Sequence, residues 1–89
     1  MSIRYLIEDI EDYEREIRNL KISIEFSQSQ IKLFKHNANI EHDIDYYKRS
    51  MLSLAGKYTE QYVECRSKLA TAERNLRVAK LRLKKYLEE

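Results

Sequence analysis

The residues best suited to chemistry gather near the middle of the chain: Glu41-His42-Asp43, with Asp45 just after them and His36 just before. On a helix, His42 and Asp45 are three apart and Glu41 and Asp45 four apart, so each pair shares a face on which a metal ion could be held. A working site needs ligands from a second helix, as in di-metal bundles built on Glu-x-x-His pairs. That motif is absent, and Glu25 is the nearest acid on the preceding stretch. Acids at the start of a helix are accounted for by its macrodipole alone. No metal and no cofactor is therefore expected.

Nucleophiles fare no better. Cys65 has no nearby histidine in sequence to activate it, and its neighbours Tyr62 and Leu69 suit a buried, inert thiol. Ser27, Ser29 and Ser50 sit in ordinary helical surroundings, and no Gly-rich phosphate loop, CxxC pair or nucleophile elbow occurs. No catalytic residue is expected.

Charge is the remaining chemistry. The formal net charge is only +2, but it is unevenly placed. Residues 1–20 hold six acids against Arg4, Arg15 and Arg18, a net of −3, whereas residues 66–85 hold eight cations against Glu73, a net of +7. Arg74, Arg77 and Lys84 share a helical face with Lys85 at its edge, the arrangement that would neutralise phosphates on a nucleic acid. Leu81 interrupts that face, and no aromatic residue lies within it to stack on bases. A solvated helix face, partly neutralised by the acidic N-terminal stretch, is the preferred reading. Nucleic-acid binding is the alternative.

The elements that must position these residues are read from periodicity. Isoleucine recurs every seventh residue at Ile3, Ile10, Ile17, Ile24 and Ile31, each followed three residues later by Leu6, Tyr13, Leu20, Ser27 and Phe34. This is a heptad with Ile at a, the signature of a helix that buries one narrow seam against another helix. A second seam runs Ile40, Ile44, Tyr47, Met51, Leu54, Tyr58, Tyr62, Cys65, Leu69, Ala72, Leu76, Ala79, Leu83, Tyr86. Its spacing stutters at Leu54-Tyr58-Tyr62, beside Gly56, the one glycine in a chain without proline.

The 89 residues therefore predict a single all-α domain: an antiparallel helical hairpin or coiled coil of two long helices, assembling into an oligomeric bundle. The first helix is expected over about 2–35. A turn follows at His36-Asn37-Ala38-Asn39, because Asn tolerates the left-handed conformation that ends a helix and also caps the next one. The second helix is expected over about 40–88, kinked or broken at 55–57. At about 1.5 Å per residue, such helices span roughly 50 Å and 73 Å, leaving an overhang that a partner or a third helix must cover. The antiparallel arrangement would bring Asp9, Glu14 and Glu16 near Arg66, Lys68 and Lys80, each exposed pair contributing about 0.2–1 kcal/mol.

Self-association is expected through Ile3, Leu6, Ile10, Tyr13, Ile17, Leu20, Ile24 and Ile31 of the first seam with Leu69, Ala72, Leu76, Ala79 and Leu83 of the second. Nine apolar residues fall outside both seams: Ile7, Ile22, Phe26, Leu33, Leu52, Val63, Val78, Leu81 and Leu87. That is more than a lone hairpin can bury, and contiguous exposed apolar surface invites association. Ile22, Phe26 and Leu33, spaced as a second stripe, together with Tyr46, form the candidate partner surface. Tyr5 also falls outside the seams.

No apolar run is long enough to cross a bilayer. Glu8 and Asp9 come too early for a secretory signal, and a single cysteine forms no intrachain disulfide, so a reducing cytosol is the expected compartment. The expected function is a non-enzymatic protein-interaction module: an adaptor, a chaperone or a small inhibitor of the kind phages encode.

Overall fold

The computed structural model describes residues 2–40 and 45–88. They form two helices, α1 (Ile3–Ile40) and α2 (Asp45–Glu88), packed along each other in a rod of 69 × 14 × 14 Å. The link between them, residues 41–44, lies outside the described residues, and with it Glu41, His42 and Asp43 of the polar cluster. So short a link requires the helices to run antiparallel. Contacts between Glu14 and Lys80 and between Phe26 and Tyr58 mark the register.

Helix α1 is capped at its start. The Ser2 hydroxyl accepts a hydrogen bond from the Arg4 N–H at 3.2 Å, and the Ser2 carbonyl accepts from Tyr5 and Leu6. Its end departs from the sequence expectation, because His36-Asn37-Ala38-Asn39 is not a turn. The helix runs on through all four residues, and no described residue has a positive φ. The physical reason is the seam: Ala38 occupies the a position seven residues after Ile31 and is fully buried, at 0% exposure. A buried seam position outweighs the modest helix penalty of two asparagines, about half a kcal/mol each.

This extension removes most of the expected overhang. The helices have 38 and 44 residues, or roughly 57 Å and 66 Å, so α2 outruns α1 by less than two turns. Neither a break nor a third helix appears at Gly56, and α2 is continuous across 55–57. The stutter resolves because Ala55, 2% exposed, takes the seam position between Met51 and Tyr58, with Leu54 half-buried at its edge. From Met51 to Leu83 the steps then alternate 4-3 without interruption. Tyr86, assigned to the seam from its spacing, is instead 46% exposed in the last turn of α2, opposite the start of α1.

The core is a line of contacts. Ile17 and Ile24 of α1 pack on Leu69 and Ala72 of α2, flanked by Leu20, Tyr62, Cys65 and Leu76. Large residues of α1 meet small ones of α2, since Ala55, Ala72 and Ala79 are all buried. Fully burying one Ile or Leu stabilises by about 1.5–3 kcal/mol. One position works against the rest: Ser27 is 0% exposed at a d position, and its hydroxyl has no hydrogen-bond partner.

Cross-helix charge pairing is thinner than expected. Lys80 Nζ lies 4.0 Å from Glu14 Oε1, while Lys68 turns to Glu64 of its own helix at 2.9 Å. That hydrogen bond and the Glu64 charge raise the Lys68 pKa above the ordinary lysine value of 10.5, and Glu16 across the pair adds only a little.

Candidate interaction surfaces

All thirteen residues assigned to self-association lie between the two helices of one chain. Leu6, Ile17, Ile24, Leu69, Ala72 and Ala79 are buried there, and Ile3, Ile10, Tyr13, Leu20, Ile31, Leu76 and Leu83 are half-buried. The seam expected to join copies is thus the seam of the hairpin itself.

The nine off-seam apolar residues are all exposed, as are Tyr5 and Tyr46. Ile22, Phe26 and Leu33 are 65%, 50% and 48% exposed on α1, off the seam that packs on α2, with Phe26 at the edge that reaches Tyr58. With exposed Ser29 they form a second 4-3-4 stripe, whose small central residue leaves room for a close approach. Tyr46 stands apart at 79% exposure near the start of α2, where it borders a shallow hollow with Arg49, Ser50, Ser53 and Leu54.

An aromatic cluster underlies part of this surface. Tyr58 stacks on Phe34 with ring centroids 5.7 Å apart and meets Phe26 edge to face at 5.9 Å. Each such contact adds about 0.5–1.5 kcal/mol beyond area burial and fixes the ring that makes it. Phe26 therefore presents a held face to solvent. Within their own helices, Phe34 and Tyr58 belong to separate seams. Only the antiparallel register brings Phe26 to them, and no signal within one helix could have shown that.

Toward the other end of the rod, Arg74, Arg77, Lys84 and Lys85 are all exposed on α2. Arg77, Lys80 and Lys84 surround Leu81 in a shallow hollow of about 310 Å³. Between the helices, Leu6, Asp9 and Tyr13 face Asn75, Val78, Ala79 and Arg82 across a crevice of about 130 Å³, room for a few water molecules. Among the described residues, no three of His, Cys, Asp and Glu lie close enough to hold a metal ion, and Cys65 is a free, half-buried thiol beside the core. No helix among them is long and apolar enough to cross a membrane. No protein family, curated protein or solved structure matches the chain.

Proposed function

We propose that the protein is a non-enzymatic interaction module, of the adaptor, chaperone or small-inhibitor kind, which binds a protein partner through the outward stripe of α1. Ile22, Phe26 and Leu33 are the contacts, with Tyr46 as an outlying one. The supporting observation is that the inward stripe of α1 is already occupied by α2 while Ile22, Phe26 and Leu33 remain exposed off that stripe, Phe26 held at its edge by Tyr58. A contiguous apolar patch of this kind marks an interaction site more often than an incidental surface. The 4-3-4 spacing suits an apposed helix, whose own residues would interdigitate around Ser29. Self-association belongs to the same reading: with the seam closed inside the hairpin, a second copy is reached through outward residues.

The test is affinity capture from the native host with the full chain, set beside the double variant Ile22→Glu, Leu33→Glu. Phe26 is left in place because it also supports Tyr58. The wild-type chain should retain a stoichiometric protein, or a second copy of itself, that the variant loses while melting at an unchanged temperature. Equal retention by both would overturn the proposal, as would a wild-type chain that stays monomeric and retains nothing.

A further inference from the structure

The C-terminal half of α2 carries a second surface of different chemistry, independent of the α1 stripe. Leu81 is 66% exposed, and its four helix-surface neighbours at three and four residues' distance are Arg77, Val78, Lys84 and Lys85. Three are cations, and the fourth, Val78, is itself 41% exposed. Arg77, Lys80 and Lys84 close around Leu81 to form the hollow described above.

Folding leaves this charge largely uncompensated. The acidic first twenty residues carry −3 against +7 on residues 66–85. Among the described residues, the one cross-helix ion pair there is Glu14 with Lys80, at the outer limit of 4.0 Å. Arg74, Arg77, Lys84 and Lys85 enter no ion pair among the described residues.

We propose that this face docks an acidic amphipathic helix from a protein partner. The partner seats an aliphatic side chain against Leu81 and Val78 and sets carboxylates toward Arg77, Lys84 and Lys85. Charge complementarity selects an acidic partner, and the leucine at the centre selects a protein. A phosphate backbone gains nothing from an exposed leucine surrounded by its counter-charges. An anionic membrane would need a broader apolar face than Leu81 and Val78 supply. An acidic helix with one aliphatic ridge matches both features at once.

The experiment titrates the full-length chain against a fluorescent eighteen-residue Glu/Leu peptide with its leucines on one helical face. Three further probes are a peptide of the same composition with dispersed leucines, a duplex DNA oligonucleotide, and vesicles containing phosphatidylserine. The aligned peptide should bind at least tenfold more tightly than the dispersed one. Leu81→Gln should weaken the aligned peptide about tenfold and leave DNA affinity unchanged. Arg77→Gln with Lys84→Gln should weaken binding of both the aligned peptide and DNA, and Ile22→Glu with Leu33→Glu should change neither. Circular dichroism confirms that each variant keeps its helix content. Equal affinity for the two peptides, indifference of the aligned peptide to Leu81→Gln, or tighter binding of DNA or vesicles would overturn the proposal.

Discussion

Ile22 and Ile24 lie two residues apart on α1 and share every intrinsic property, yet one is 65% exposed and the other 7%. Ile24 packs on the Leu69 and Ala72 side of the core, while Ile22 faces away from α2 entirely. The pair separates two kinds of hydrophobic residue on one helix. The inward stripe holds the chain together; of the outward one, Phe26 meets Tyr58 of α2 edge to face while Ile22 stays in solvent. Apolar character alone does not distinguish structure from recognition. Position in the heptad does.

The largest expected effect tests that difference directly. Ile24→Ala should cost about 2–4 kcal/mol in chemical denaturation followed by circular dichroism, through lost burial and an unfilled cavity. Ile22→Ala should stay within about 0.5 kcal/mol of wild type. Similar losses at both sites would mean that the outward stripe is buried in an assembly under the conditions of the measurement, and a concentration-dependent midpoint would reveal it.

Next comes the one core position that opposes the seam. Ser27→Ala removes a buried hydroxyl without a partner and should stabilise by about 1 kcal/mol, read as a higher denaturation midpoint at unchanged slope. A loss of stability would show that Ser27 is satisfied in solution. Gly56→Ala should stabilise by roughly 0.5–1 kcal/mol, since Gly56 lies inside a continuous helix and an added Cβ meets nothing within 4 Å. Destabilisation there would indicate that the helix bends at Gly56 in solution.

The smallest effect concerns pH. The folded-state pKa of Lys68 is raised, so the contribution of its pair with Glu64 is complete below the ordinary lysine value of 10.5 and is lost as pH rises through the folded value. Lys68→Gln should therefore differ from wild type by a constant small amount between pH 7 and 9. The difference should shrink only beyond 10.5. A difference that varied near neutrality would point to another titrating partner.

Much of the architecture was legible because the two-helix seam repeats a simple period. Five isoleucines at seven-residue spacing announced an inward face, and the counter-stripe of leucine and alanine announced its partner. The outward residues were legible by subtraction, and all nine are exposed. Local chemistry misled at two places. Asparagine-rich 36–39 has the composition of a turn, but Ala38 is buried in the seam and keeps the helix going. Leu54 is larger than Ala55 and attracted the seam assignment, yet Ala55 is the residue turned inward. In both cases a small alanine carried the periodicity and a more conspicuous neighbour concealed it.

The sequence by itself therefore determined that two long amphipathic helices exist and which face of each is apolar, because helix period and residue type are local properties. It also determined the acidic and basic poles, which are a matter of order along the chain. The hairpin itself was also expected, from the acidic and basic poles and the short interval between the two seams, and the tertiary structure shows it. Only the tertiary structure brought Phe26, Tyr58 and Phe34 together, and left Leu81 among cations of which α1 pairs Lys80 alone. Those are properties of register between two helices, and register is set by how large and small side chains interdigitate along the whole interface.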